Sequence, residues 1–364
     1  MPLSIGIIGL PNVGKSTIFN ALCAGKAAVE NYPFCTIEPN QGIVAVPDPR
    51  LEMITELSPS KKVVPAFIQL FDIAGLAKNA SKGEGLGNQF LGHIRTVNAV
   101  AHVVRCFDDP DVVHVDGTPD PVRDAEIVET ELIVKDLETV ERALEKIEKA
   151  AKTGDKDALS KSEPLKKARS LLEKGAAIQD GTFNGKESAV LRELGLLTSK
   201  PVLYIANVDE QGLESGSAYR TSLEKYAAHK GRAVIALCGK IEAELTELPP
   251  EEQKEFLESI GRNEPGLNAL VRAMYSLLGL QTFYTLNENE NHAWTFTRGT
   301  SAPRAAGKIH SDFEKGFIRA DVYRLEDLER YGSMSGIRNA GKLRSEGHEY
   351  VVQDGDILYF KFNV

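Results

Sequence analysis

The sequence predicts an α/β phosphate-loop nucleotide domain, interrupted by an α-helical hairpin and followed by a small α+β domain. Three observations predict it. A glycine-bounded phosphate-binding loop lies between an apolar strand and a helix start; apolar strands recur at 67–72, 99–107, 200–207 and 233–238; and the hydrophobic spacing becomes helical from Ala125. The loop is Gly9-Leu-Pro-Asn-Val-Gly-Lys-Ser-Thr17, with Ile5–Ile8 reading as a buried strand before it and Ser16–Leu22 as a helix after it. In that order, backbone N–H groups and the positive end of the helix dipole converge on one point, where they can hold a polyphosphate. Gly9 and Gly14 permit backbone angles and approaches that a Cβ forbids. Asn12, Val13, Gly14, Lys15, Ser16 and Thr17 are the expected nucleotide contacts. Lys15 offers a point charge to the outer phosphates and Ser16 a hydroxyl to magnesium.

Downstream, the polar, proline-flanked stretch Asn31–Asn40 reads as a loop. Its Thr36 has the position of a switch threonine that closes over magnesium and the terminal phosphate. The strand Phe67–Asp72 then ends in Asp-Ile-Ala-Gly75: Asp72 can reach magnesium through water, and the N–H of Gly75 can meet the γ-phosphate. Leu76 stands where many GTPases carry a water-orienting glutamine, which implies slow intrinsic hydrolysis or another water-positioning group. The glycine-rich run Ser81–Phe90 reads as a segment ordered by a γ-phosphate. On the strand Ala99–Phe107, His102 reads as a core histidine. The acidic loop Asp108–Gly117 brings His114 within possible reach of the hydrolytic water.

Ile133, Leu137, Val140, Leu144, Ile147 and Ala151 alternate spacings of four and three, a coiled-coil seam; Leu165, Ala168 and Leu172 resume it after a break at Thr153–Asp157. An antiparallel hairpin projecting from the sheet is the expectation, and helices that merely cover the sheet are the alternative. The strand from Lys200 ends in Asn207-Val208-Asp209-Glu210, where guanine-reading proteins carry Asn-Lys-x-Asp. A longer carboxylate and the loss of the lysine stem disfavour guanine, whereas Asn207 and backbone groups could satisfy adenine. An unpaired buried polar group costs about 1–3 kcal/mol, enough to reverse a base preference. Past Gln281 the texture is that of strands at 294–297, 316–322 and 354–362 with a helix at 325–331, and with nearly balanced charge; no catalytic cluster shows there, so binding is expected.

With 364 residues, 42% hydrophobic and 26% charged, the composition is that of an ordinary globular protein of two or three domains. The net charge of −9 argues against coating nucleic acid through bulk charge. No apolar run approaches a membrane span, the first nine residues leave no room for a signal peptide, and Cys23, Cys35, Cys106 and Cys238 are scattered as in a reduced cytosolic protein.

Taken together, GLPNVGKST, NYPFCTIEPN, DIAGLAKNASKGEGLGNQF, the NVDE variant, AAGKIHSDFEKGFIRA and QDGDILYFKFNV resemble the YchF or Obg-like ATPases over essentially the whole chain. The resemblance implies a Ras-like nucleotide domain (1–124 and 200–280), an inserted coiled-coil arm (125–199) and a C-terminal TGS domain of β-grasp shape (281–364). It implies binding and slow hydrolysis of ATP with Mg2+, in preference to GTP. Ser16, Thr36 and Asp72 serve the metal; Lys15, Gly75 and His114 serve catalysis; Asn207, Val208 and Glu210 lie at the base. Asn12 resembles the potassium-coordinating asparagine of related hydrolases, which adds K+ as a candidate ion. A monomeric, cytoplasmic protein associated with ribosomes, with RNA contact through the arm or the TGS domain, completes what the resemblance implies. The competing readings are a GTPase with a degenerate base motif and a ribosome-binding scaffold that nucleotide merely stabilises.

Overall fold

A computed structural model describes residues 3–24, 40–73, 86–114, 117–152 and 156–363. It contains β1 (Ser4–Ile8), α1 (Lys15–Cys23), β2 (Gln41–Ala45), α2 (Pro49–Leu57), β3 (Lys62–Val64), β4 (Phe67–Asp72) and α3 (Leu86–Thr96). There follow β5 (Ala99–Arg105), α4 (Pro121–Lys152), α5 (Lys156–Glu173), α6 (Gly185–Glu193), β6 (Val202–Asn207), α7 (Glu210–Glu214), α8 (Ala218–His229), β7 (Val234–Leu237) and α9 (Gly239–Leu245). The remaining strands are β8 (Leu280–Leu286), β9 (Glu290–Thr297), β10 (Phe317–Tyr323), β11 (Arg344–Glu346) and β12 (Ile357–Phe362).

The chain forms two compact units: one holds β1, α1 and Leu70–Leu267, the other Ile43–Gln69 with Asn268–Val364. In the first, β1, β5, β6 and β7 lie side by side in that order and run parallel. Every residue of β1 and β5 is buried. Parallel strands covered on both faces have to be apolar throughout, which is why these segments read as unbroken hydrophobic runs. The carboxyl ends of β1, β5, β6 and β7 open into loops on one edge of the sheet, the edge at which such sheets bind ligands.

His102, in the middle of β5, is fully buried against the ring of Tyr204 (centroids 5.5 Å apart), and burial lowers its pKa to about 4. It is the core histidine that the sequence suggests. An unfolded histidine binds a proton that this one refuses, so stability falls as pH drops from about 6.5 towards 4, by roughly 3 kcal/mol in all. His102→Phe should flatten urea-unfolding free energy across that window; an unchanged slope would show that His102 is not its source.

The helical hairpin is present. Ile133, Val140 and Leu144 of α4 are buried in one cluster with Leu165, Ala168 and Leu172 of α5, and Leu137 and Ile147 pack on it. Of the expected break, 153–155 lie outside the described residues, as does the side chain of Ala151. Sequence spacing starts the first helix at Ala125, but it begins at Pro121, and Ala125 packs in the core with β6 residues Tyr204 and Ala206. The first turns of α4 therefore cover the sheet, and its later turns make the hairpin. A carboxylate fixes the first part: Glu129 accepts from Tyr204, Lys230, Tyr226 (3.2 Å) and Arg232 (2.7 Å). Asp136, buried, fixes the middle by accepting from the N–H groups of Leu197 (2.8 Å) and Thr198 (2.7 Å) and from the Thr198 hydroxyl (2.6 Å).

In the second unit the sheet order is β11-β10-β12-β8-β9-β3. The β8–β9 hairpin is antiparallel, β12 runs parallel beside β8, and β10 antiparallel beside β12. Phe283, Phe296, Phe317 and Phe360 pack on Ala302, Ala305 and Ala306 of the helix Ala302–Ile309, whose small residues let it lie close to the sheet. Two findings differ from the sequence reading. Leu280–Leu286 is a strand that the sequence reading did not name, its first C-terminal strand being placed at 294–297. Ile43–Gln69, expected inside 1–124, belongs to this unit, because β3 pairs with β9 (Lys62 opposite Glu290) and Asn291 Nδ2 donates to Ser58 O at 2.7 Å.

Candidate nucleotide site

The site grows from the phosphate loop. Leaving β1, the chain turns at Gly9 (φ 151°), where a Cβ would lie 2.4 Å from Val103 O, passes Asn12 (φ 61°), and enters α1 at Gly14 (φ 95°). A Cβ on Gly14 would lie 2.3 Å from Asn207 Nδ2, so glycine is required by both angle and space. No side chain caps α1 and its first turn is free of acids, which leaves its N–H groups for an anion. Lys15 is buried, with Nζ donating to Leu10 O at 2.7 Å; burial pulls its pKa below the ordinary value while Asp72 pulls it up. A phosphate would supply the counter-charge that the loop carbonyl cannot.

Ser16 Oγ donates to Asp72 Oδ2 at 2.9 Å, so α1 and the end of β4 bring the two expected metal residues together. Asp72 Oδ1 is buried and has no hydrogen-bond partner among the described residues. A hydroxyl and an orphaned carboxylate oxygen beside a phosphate cradle fit Mg2+, which takes few protein oxygens and completes its shell with phosphates and water. Thr36, Gly75 and Leu76 lie outside the described residues.

A cleft of about 840 Å³ adjoins the loop, within the size of small-molecule sites. It is lined by Asn12, Gly14 and Thr17, by Phe107, Asp108, Asp109 and Val112 after β5, by Asn207–Gln211 after β6, and by Cys238–Lys240 after β7. Here the base motif takes a form the sequence does not reveal. Asn207 is buried; its Nδ2 donates to Val13 O (2.9 Å) and its Oδ1 accepts from Gly239 N (2.9 Å). Its amide is a staple between the phosphate loop and the β7 loop, and these two bonds leave a second Nδ2–H and a second Oδ1 lone pair for a base. Val208 is packed in the core with Leu213 and Ile241, so its side chain is withdrawn from a base plane. Asp209 caps α7 by accepting from Gly212 N at 2.7 Å. Glu210 is exposed and paired with Lys240 at 3.2 Å.

His114 is not a surface residue. Its ring is buried, with Nε2 2.8 Å from Asp124 Oδ2, and it is not among the residues that line the cleft. Asp124 comes from the first turn of α4, ten residues on, and no motif announces it. Asn12 Nδ2 donates to Val113 O at 3.2 Å, tying the phosphate loop to the residue before His114. Reasoning from sequence also passed over Phe107 and Lys240, which only the folded loops bring to the cleft.

Known proteins place the chain. Residues 4–152 match the family model MMR_HSR1, described as "50S ribosome-binding GTPase", and residues 280–363 match YchF-GTPase_C, described as "Protein of unknown function (DUF933)". The Bacillus subtilis protein named "Ribosome-binding ATPase YchF" is 51% identical, and that of Escherichia coli O157:H7 is 48% identical, each over the whole of both chains. A solved structure, "Structure of the Schizosaccharomyces pombe YchF GTPase", is 38% identical with a TM-score of 0.89, covering 99% of this chain and 98% of that one. Matching such relatives from end to end in both sequence and fold, the chain belongs to the YchF family.

Proposed function

We propose that this protein is a ribosome-associated switch that binds ATP with magnesium and hydrolyses it slowly to ADP and phosphate, in preference to GTP. The observation that carries the reading is the start of α1: an uncapped helix, the Lys15 ammonium and a Ser16–Asp72 pair with one orphaned oxygen, all at one point. Bound there, Mg2+ would neutralise the β- and γ-phosphate oxygens. Lys15 leaves Leu10 O for the outer phosphates, and the N–H groups of Val13–Thr17 cradle them. Thr36 and the N–H of Gly75 are assigned to the metal and the γ-phosphate. Water attacks phosphorus, the bond to the bridging oxygen breaks, and ADP leaves with that electron pair. Positioning and electrostatics supply the acceleration.

The base preference is supported by what the NVDE segment can no longer do. Guanine offers two donors that need one carboxylate, yet Asp209 is spent on α7 and Glu210 faces Lys240. His114 is assigned to positioning the hydrolytic water, for which the loop that shelters it would have to rearrange. Potassium at Asn12, an inserted helical arm over 125–199, TGS identity for 281–364, contact with RNA, a monomeric state and a cytoplasmic location complete the proposal. Among the described residues no helix is long and apolar enough to cross a membrane. The ribosome enters through the names of the bacterial relatives, and the S. pombe relative's being called a GTPase favours GTP hydrolysis as a second reading.

Steady-state turnover with and without ribosomes tests the proposal. Slow ATP hydrolysis that ribosomes accelerate is expected, since a partner that completes such a site raises rates by up to about 10³–10⁵-fold. Ribosome binding with no nucleotide hydrolysis in either condition would leave the scaffold reading.

A further inference from the structure

Arg105 is the largest of the fully buried side chains, 1% exposed at the carboxyl end of β5 and opposite Asn207 in the β5–β6 register. Its described donors all go to main-chain carbonyls of the loop that follows: Nε to Phe107 O (3.1 Å), Nη2 to Asp109 O (3.0 Å) and Nη1 to Val112 O (2.8 Å). The guanidinium carbon also lies 4.7 Å from the centroid of the Phe107 ring. A buried cation satisfied by neutral acceptors is costly, and an apolar residue would serve a strand end better. What the guanidinium offers instead is a rigid planar fork that draws three carbonyls of one turn into one plane; a lysine ammonium, being a point on a flexible stem, cannot span them. The loop so shaped supplies Phe107, Asp108, Asp109 and Val112 to the cleft, where they face Asn12, Gly14 and Thr17 of the phosphate loop, while Lys15 and Ser16 are not among the lining residues.

We propose that Arg105 is a positioning residue that shapes the nucleoside half of the cleft, its link to the phosphate cradle being limited to the Asn12–Val113 bond one residue beyond the last carbonyl it holds. The inference rests on the nucleotide-binding reading above and adds to it the element that sets affinity for the nucleoside.

Calorimetric titration of the full-length wild type, Arg105→Lys and Arg105→Gln with magnesium–ATP and with magnesium–tripolyphosphate tests it. Both variants should bind ATP about tenfold or more weakly, the scale of losing a charge-assisted hydrogen bond. Their affinity for tripolyphosphate should stay within about twofold of wild type, since that ligand uses only the loop and helix start. Equal weakening towards both ligands would show a general structural role and overturn the proposal, as would unchanged ATP affinity. A wild type that binds neither ligand sinks the nucleotide reading too, whereas a wild type that binds both, with variants indistinguishable from it, sinks Arg105 alone. Should the variants not fold, hydrogen exchange on the wild type decides: the main-chain amides of Asp111 and Val112, which donate to Asp109 inside this turn, should be protected before nucleotide is added, and exchange at unprotected rates until ATP arrives would contradict a preshaped wall.

Discussion

Lys15→Ala is expected to abolish measurable ATP binding while leaving the protein folded. The ammonium is buried, holds one carbonyl oxygen, and has its pKa lowered by burial. Removing it therefore deletes one hydrogen bond but also relieves the cost of a poorly compensated charge, and unfolding free energy should change by no more than about 1 kcal/mol. Binding is another matter, because the lost group would otherwise make charge-assisted bonds to two phosphates, and ATP Kd should rise by about a hundredfold or more. Titration with ATP beside urea unfolding checks both halves. Wild-type affinity would remove the phosphate loop from the account, and ribosome association and cellular effect that survive the substitution untouched would favour the scaffold reading.

Glu129→Ala should be the most destabilising single change in the first unit. Its carboxylate accepts from two tyrosines and two cations while only 12% exposed, and the Arg232 side chain it faces is 5% exposed. Removing the carboxylate leaves the buried Arg232 with Asp180 (3.1 Å) as its only carboxylate among the described residues, and breaking a buried pair costs about 3–5 kcal/mol. Glu129→Gln keeps the shape and should cost less. Burial raises the Glu129 pKa, but the bonds from Lys230 and Tyr204 and the charge of Arg232 outweigh it, so the folded value lies below the ordinary 4.5. The stabilisation is thus complete above that value and is lost as pH falls below it. Urea unfolding at neutral pH checks the magnitude, and a loss under about 1 kcal/mol would mean that packing alone holds α4 to the sheet.

How much of this could be read beforehand depends on how local the cause is. The phosphate loop is a local device: two glycines, a lysine and a hydroxyl between a strand and a helix, and each lies where the motif puts it. Strands β1, β5 and β6 announce themselves because burial on both faces demands continuous apolar runs. The hairpin was legible from the seam of Ile133 to Ile147. By contrast, β3 is three residues long and exists only because β9 lies beside it, so no pattern within it points to the second unit. The strand β8 was hidden by the preceding helix Gly266–Leu277, although Gly279 (φ 65°) marks the stop between them. Asn207, His114 and Arg105 show a third limit. Residue type gives a donor or an acceptor, but which atom it meets is decided by loops far off in the chain. Asn207 turned out to staple two loops, and His114 to sit in a buried pair with Asp124.

Parallel calorimetric titration of the wild-type protein with magnesium–ATP and magnesium–GTP is the most direct test of the central claim. The loss of guanine's paired acceptor predicts ATP binding about ten- to a hundredfold tighter than GTP, the scale of one unpaired buried polar group. GTP binding as tight as ATP or tighter would contradict it.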